Sequence, residues 1–178
     1  MKKIIIIILV IFITGCKNNS ARDIVSSYLD EYHNLSTNII NEINNAVDLN
    51  DKFSKKNKKI YKDILKRQYK DLKYKIIREE YDNDIALITV NVNVYDLNKA
   101  EEEALLYLTD HLSEFYNEDN TFNENKYISY KLDLMSKTNI KVNYDILFTL
   151  RKKNNNWILD QPTESDLEKI HGLYKESE

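Results

Sequence analysis

The fold of this chain is decided by the stretch IALITVNVNVYDL at residues 85–97. Apolar side chains occupy the even positions from Ala86 to Val94, and Thr89, Asn91 and Asn93 stand between them. Because successive side chains of a strand point to opposite faces, this pattern predicts a long strand with one buried face. Such a strand is typical of an antiparallel sheet that covers a core on one side only.

Two hairpins are predicted around this strand. Residues 74–77 form an earlier strand, and the cluster Asp82-Asn83-Asp84 turns the chain between the two. Residues 140–151 alternate in the same way, and the polar run 153–156 leads into a closing strand that begins with Trp157-Ile158-Leu159. The sequence therefore predicts a sheet of about four antiparallel strands.

Helices are predicted before the sheet. Residues 21–49 carry apolar side chains at the i, i+3, i+4, i+7 spacing of one long amphipathic helix, and residues 55–72 do so for a second helix. The apolar stripe of the first helix consists of Val25, Tyr28, Leu29, Tyr32, Leu35, Ile39, Ile43 and Val47.

Additional helices are predicted between the hairpins and at the C-terminus. Asn98 followed by Glu101 matches a capping box, and residues 126–136 form a further helix. Thr163 with Asp166 opens a short terminal helix. The apolar stripe expected after Asn98 consists of Ala104, Leu105, Leu108, Leu112 and Phe115. The predicted fold class is α+β, a curved antiparallel sheet packed on the long N-terminal helix.

The first residues have the pattern of an export signal. Lys2 and Lys3 precede the apolar run 4–13, which is about half of the ~20 residues that a transmembrane helix needs. The run ends in Ile13-Thr14-Gly15-Cys16, which resembles the bacterial lipobox. The resemblance implies cleavage after Gly15, a diacylglycerol on the Cys16 sulfur and often a further acyl chain, such as palmitate, on the new amino group. An ordinary secretory signal with a chance cysteine is the alternative.

These features divide the chain into three parts. Residues 1–15 are the signal peptide, 16–20 a short tether and 21–178 one α+β domain, since no linker rich in Pro, Gly or Ser interrupts them. The expected location is outside the cytoplasm, lipid-anchored to the cell membrane or to an outer membrane.

Composition excludes several classes of function. Cys16 is the only cysteine, so disulfides, thiolate metal clusters and cysteine nucleophiles are excluded. The glycines are Gly15 and Gly172, so no glycine-rich loop exists to bind a nucleotide phosphate. Removal of Lys2 and Lys3 from 26 basic residues leaves 24 against 29 acidic ones, a net charge near −5, which gives no general affinity for nucleic acid. We expect no cofactor and no metal.

The order of elements resembles the cystatin-like or nuclear-transport-factor-like cone fold of small bacterial lipoproteins. Residues 85–97, residues 140–151 and the ending KKNNNWILD at 152–160 carry the resemblance. It implies a curved sheet around the N-terminal helix and a concave pocket, which different members use for ligands, catalysis or dimerisation. The added helices depart from the minimal fold and could fill that pocket.

Few side chains suggest chemistry. His33, His111 and His171 lack partners at the spacing of a metal or catalytic set, so a solvated or hydrogen-bonded structural role is favoured. Asp145 could be the pocket acid of a cone-fold isomerase or hydrolase, although it stands on the polar side of its strand.

Two broader patterns remain open. The basic segment, residues 55–70, could face anionic head groups or wall polymers, or could be a solvated helix face that complements the acidic stretch 96–119. The thirteen tyrosines could form a carbohydrate platform, but most fall in the apolar stripes and indicate core packing.

The sequence favours a membrane-anchored, non-enzymatic binding or interaction module. Its partners would be the membrane, through the lipid anchor, and a small ligand or an envelope protein. An isomerase or hydrolase that uses Asp145 is one alternative. The other is a structural partner in an envelope assembly that docks through its first helix, which requires apolar residues of that helix to be exposed.

Overall fold

Along residues 20–176, the part of the chain that the computed structural model describes, six α-helices and four strands follow one another. The helices are α1 (Ala21–His33), α2 (Thr37–Asp48), α3 (Lys55–Lys70), α4 (Leu97–Asp110), α5 (Glu124–Lys137) and α6 (Glu164–His171). The strands are β1 (Lys73–Asp82), β2 (Ile85–Tyr95), β3 (Lys141–Lys153) and β4 (Asn156–Leu159), and a short 3-10 helix covers Leu112–Phe115.

The four strands form one antiparallel sheet in the order β1-β2-β3-β4. Val90 in the middle of β2 lies between Ile76 of β1 and Ile146 of β3. Helices α4 and α5 are inserted between the two hairpins, and α6 follows the second. The predicted α+β class, the four strands and the added helices are therefore confirmed.

The inner face of the sheet packs on α1. Val90 and Val92 of β2 are fully buried, as are Val25 and Leu29 of α1. Tyr28 of α1 meets Phe148 of β3 edge to face, with ring centroids 5.8 Å apart. The main core lies in this layer because the alternation of β2 and β3 and the helical period of α1 turn their apolar sides toward each other.

A second, smaller core lies where α3, α4 and α5 meet. It contains Leu97 and Ala100 of α4 with Leu132 and Met135 of α5. Ile64 of α3 joins this cluster, whereas its neighbour Leu65 belongs to the main core. Helix α3 therefore connects the sheet layer to the inserted helices.

The first predicted helix is two helices, so the expectation of one continuous helix over residues 21–49 is wrong. Leu35 has φ of 50°, in the left-handed region that ends a right-handed helix. Ser36 then caps α2, its hydroxyl accepting from the Ile39 amide at 3.4 Å. The apolar stripe continues across the break, with Leu29 and Ile39 both buried, which is why periodicity alone missed it.

The predicted start of α4 is wrong, and of its predicted apolar stripe only Ala104 and Phe115 are buried. Asp96, not Asn98, caps the helix, and its carboxylate accepts from the Lys99 amide at 2.9 Å. The buried face then consists of Leu97, Ala100 and Ala104, which leaves Leu105 exposed. Leucines in helix α4 and the following 3-10 helix remain at the surface with exposed fractions of 56% for Leu105, 67% for Leu106 and 45% for Leu112.

Candidate functional site

The predicted lipidation site lies outside the described residues. Cys16, the signal over residues 1–15 and the tether up to residue 19 are all in the part of the chain that the structure does not describe. The structure begins at Ser20, which caps α1 with a capping box to Asp23. Cleavage and acylation at Cys16 therefore stay predictions.

Asp145, the acid of the enzymatic alternative, is exposed on the outer face of β3. Its carboxylate accepts a hydrogen bond at 2.7 Å from the side-chain amide of Asn91, its cross-strand neighbour on β2. The isomerase or hydrolase hypothesis needs an acid inside a concavity, and Asp145 does not supply it.

The three histidines lie apart from one another. His33 ends α1, with Nδ1 3.2 Å from the Leu72 carbonyl oxygen, and His111 stacks on Tyr107 at 3.9 Å. His171 ends α6, with Nδ1 2.7 Å from the hydroxyl of Tyr69. Within residues 20–176, no group of three His, Cys, Asp or Glu side chains is arranged to hold a metal ion.

The space between the sheet and the first helix is filled. Tyr28 and Tyr32 of α1 pack edge to face at 5.5 Å, and Tyr32 meets Tyr69 of α3 at 5.1 Å. Burial raises the pKa of Tyr28 to about 12 and that of Tyr69 well above its ordinary value. Tyrosine rings therefore occupy the place where the cone-fold resemblance led us to expect a pocket.

The first helices do not offer the docking surface that the assembly hypothesis needs. Val25 and Leu29 of α1 and Val47 of α2 are fully buried, and Ile43 of α2 is 2% exposed. Among residues 21–49, Leu49 directly after α2 is the one exposed large apolar side chain, and further exposed leucines lie on α4.

The basic segment pairs with α2 rather than with the acidic stretch. Lys62 forms an ion pair with Asp48 at 2.9 Å, and Lys58 donates to the Asp48 carbonyl oxygen at 2.7 Å. Glu101, within the acidic stretch, pairs with Lys131 of α5 at 2.7 Å. Across the described chain no ion pair joins residues 55–70 to residues 96–119, so direct pairing does not link these two segments.

The sheet has two ends, one near the start of α1 and the other near its last residue. At the end formed by the two turns, which we call the turn end, the Lys152 amide donates to the Asp84 carbonyl oxygen at 2.8 Å. Arg22, in the first turn of α1, forms an ion pair there with Glu79. Helix α1 then runs to the opposite end, where His33 meets Leu72. The first described residue, Ser20, is therefore at the turn end.

A shallow depression of about 300 Å³ lies at the opposite end of the sheet. We call it the distal depression. Its polar lining consists of His33, Lys70, Asp71, Lys73, Tyr95 and Lys141. Strand β1 spans the distance between the two ends, about 30 Å for a strand of this length.

Tyr95, the last residue of β2, organises the distal depression. Its ring lies 4.0 Å below the guanidinium of Arg67 and 4.6 Å from Nζ of Lys141. Its hydroxyl donates to Asp71 Oδ2 at 2.8 Å. Two cations therefore contact the face of one aromatic ring, which is a favourable arrangement for both.

The guanidinium of Arg67 already forms hydrogen bonds within the protein, so it is less available to a ligand than two lysines of the depression. The guanidinium donates to the carbonyl oxygens of Ser136 at 2.6 Å and Thr138 at 2.8 Å. Lys70 and Lys73 are exposed, and neither forms an ion pair within residues 20–176. Asp71 is the single acid in the lining, so cations outnumber acids.

Side-chain amides extend the depression along the outer face of the sheet. Lys73 pairs in register with Asn93, and Asn93 with Asn143. Asn93 Nδ2 donates to Asn143 Oδ1 at 3.1 Å. Ammonium groups beside amide donors form a surface suited to an anion.

Sequence reasoning identified only part of this depression. Lys70 was in the basic segment and Lys141 in the second alternating block, whereas Lys73 lay between the second predicted helix and the first predicted strand. Lys73 immediately precedes the first predicted strand, and Lys141 stands near the start of the second alternating block. Both lie on the polar face of the sheet, and this was the sequence signal that could have identified them. Their neighbourhood depends on strand register, which alternation does not give.

The comparisons with known proteins do not identify a family for this chain. No protein family matches, and no curated protein matches. Among solved structures, the Bacillus subtilis protein YcdA, described as a “putative lipoprotein”, is similar with 13% sequence identity and a TM-score of 0.40. The match covers 89% of this chain and 48% of that protein, so this chain spans about half its length. At that TM-score the likeness carries no argument about fold or function.

Within residues 20–176, none of the helices has both the length and the hydrophobicity needed to cross a bilayer.

Proposed function

We propose that this chain is an exported lipoprotein, held on a membrane by acyl chains at Cys16, whose domain is a non-enzymatic binding module. The sequence Ile13-Thr14-Gly15-Cys16 after a charged and apolar start is the single observation that carries the proposal. Each buried methylene contributes about 0.8 kcal/mol, and two or three chains anchor a protein stably where one does not.

The position of the folded domain supports this proposal. Helix α1 begins at Ala21, five residues after Cys16, and its capping box at Ser20 fixes where the helix starts. The tether is therefore short, and the domain would sit close to the bilayer at its turn end. The resemblance to cone-fold lipoproteins, which the comparisons leave unconfirmed, belongs to the same proposal.

A binding role is favoured over catalysis by the arrangement of the polar groups. The acid suggested by the sequence, Asp145, is exposed and bonded to Asn91. The distal depression presents three lysines and one carboxylate, Asp71, which already accepts from the Tyr95 hydroxyl at 2.8 Å.

Metabolic labelling with a palmitate analogue tests the anchor. The native chain is expected to carry label, and Cys16→Ser is expected to lose it, because serine offers no sulfur for the diacylglycerol. Asn18→Ser, a substitution two residues further on, is the matched control and should label as the native chain does. Equal labelling of Cys16→Ser and the native chain, or no label in either, would refute the proposal.

A further inference from the structure

We infer that the distal depression is a binding site for a phosphate-bearing anionic ligand held away from the membrane. The inference deepens the proposed function by naming the ligand class, and its orientation relative to the bilayer rests on that function. Three observations support it: two lysines that form no ion pair within residues 20–176, the ordered arrangement around Tyr95, and the position of the depression relative to Ser20.

The charge of the depression selects anions. Lys70, Lys73 and Lys141 surround a space whose lining contains Asp71 as its only acid. The Asp71 carboxylate already accepts from the Tyr95 hydroxyl at 2.8 Å. Lysine ammonium groups bind phosphate oxygens as point charges, and converging cations raise the local concentration of anions.

Hydrogen bonds hold the depression in shape. A helix face that only contacts solvent would not need them. Gln68, 1% exposed, donates to the Tyr95 carbonyl oxygen at 3.1 Å and accepts from the Tyr95 amide at 3.0 Å. Lys141 Nζ donates to the Asp71 carbonyl oxygen at 3.0 Å. These bonds fix the end of β2 and the α3–β1 connection, so a ligand would meet preordered groups and lose less free energy to ordering them.

The volume and openness of the site fit a small or polymeric anion. About 300 Å³ is at the lower end of the range for ligand pockets. The adjoining amides of Asn93 and Asn143 lie along the outer sheet face, where a longer ligand could continue. Phosphate groups on a chain would therefore find donors beyond the depression itself.

The depression faces away from the proposed anchor. Ser20 is at the turn end, and the length of β1, about 30 Å, separates that end from the distal depression. Residues 16–20 add at most about 14 Å when extended. A domain anchored at Cys16 and resting on its turn end would hold the depression out of reach of the head groups of its own membrane.

Titration with tripolyphosphate tests the site. The acylated protein is purified from membranes, reconstituted in phosphatidylcholine nanodiscs and titrated by calorimetry at low salt. The native chain is expected to bind, and Lys70→Ala with Lys73→Ala should weaken binding on the order of tenfold, since the variant removes two of the three lysines that line the depression. Both lysines are exposed, so the variant retains its core.

A matched control separates a site from general attraction. Lys55→Ala with Lys59→Ala removes two exposed lysines from the other end of α3 and should bind as the native chain does. Absence of binding by the native chain, or equal weakening in both variants, would overturn the inference.

A second titration, in nanodiscs that contain an anionic lipid, distinguishes a ligand in solution from a lipid head group. Phosphatidylglycerol in the nanodisc should leave the affinity for tripolyphosphate unchanged, whereas competition would overturn a site directed away from the bilayer. These readouts are independent of palmitate labelling. Loss of label with retained binding by detergent-purified protein would remove the anchor while supporting the ligand class.

Discussion

Gln68 is a single side chain on which the distal depression depends. It is buried in α3, and both polar atoms of its amide bond to the backbone of Tyr95. Gly172, which caps the C-terminus of α6, lies against the same residue. Its φ is 69°, and a methyl group added there would approach the Tyr95 carbonyl oxygen to 2.0 Å. Three segments of the chain therefore meet at the end of β2.

Gln68→Leu is expected to destabilise the protein. Leucine has a similar volume but leaves the amide and carbonyl of Tyr95 without partners, and each unsatisfied buried group costs about 1–3 kcal/mol. Urea unfolding measures the loss. Gln161→Leu, at an exposed position, should change the free energy of unfolding by no more than about 0.5 kcal/mol. Similar losses in the two variants would show that Gln68 does not hold Tyr95.

His171 makes the stability depend on pH. Burial lowers its pKa from 6.5 to about 4, and its Nδ1 lies 2.7 Å from the hydroxyl of Tyr69, whose pKa is also raised by burial. The folded state favours neutral imidazole, so the unfolded chain binds one more proton between about pH 6.5 and pH 4.

The free energy of unfolding should therefore fall as the pH decreases through this range. The slope due to His171 is at most about 1.4 kcal/mol per pH unit, because one proton is involved. Urea unfolding at several pH values for the native chain and His171→Gln measures it, and the variant should show the smaller slope. His111→Gln, at an exposed position, is the control. Identical slopes for the native chain and His171→Gln would contradict the account.

At the scale of elements, the β3–β4 turn is set by two asparagines. Asn154 and Asn155 have φ of 49° and 64°, the pair of left-handed residues that a type I′ hairpin turn requires. Asparagine tolerates this region better than other residues with a Cβ. The polar run 153–156 therefore predicts the turn because two of its asparagines can adopt the left-handed conformation.

Asn154→Val is expected to destabilise the second hairpin by about 1–2 kcal/mol, since a β-branched residue is strained at positive φ. Thermal unfolding followed by circular dichroism measures the effect. Lys153→Val, one residue earlier on β3, places the same side chain in a strand where valine is favoured and should not reduce stability. A neutral result at Asn154 would mean that the turn does not require its left-handed residues.

Elements with a strong period were predictable, and their interruptions were not. The strands β2 and β3 and the capping box at Thr163 follow from residues close together in sequence. The break at Leu35 left the apolar period intact, so only the φ of that residue reveals it. The distal depression depends on register between strands and on the approach of α3, which are set by tertiary packing.

At the scale of the whole molecule, the turn end carries an aromatic pair beside the start of α1. Tyr81 and Trp157 lie edge to face at 5.9 Å, and Lys152 Nζ is 5.6 Å from the Trp157 ring. The Tyr81 hydroxyl donates at 3.1 Å to Glu79, the same carboxylate that Arg22 of α1 pairs with. Trp and Tyr favour the interface of a membrane, so this end suits the proposed orientation.

Trp157 is the only tryptophan and reports that orientation directly. In vesicles of brominated phosphatidylcholine, the acylated protein should lose much of its Trp157 emission compared with unbrominated vesicles. A control that combines Trp157→Phe with His33→Trp moves the probe to the distal end, where emission should persist. Equal quenching of both proteins, or of neither, would contradict an orientation with the turn end on the bilayer.

The intact mass of the protein from a membrane fraction of its host tests the central claim most directly. The account predicts a chain that begins at Cys16 and carries the added mass of a diacylglycerol, with or without a third acyl chain. A chain that retains residues 1–15, or that begins at Cys16 with an unmodified sulfur, would contradict it.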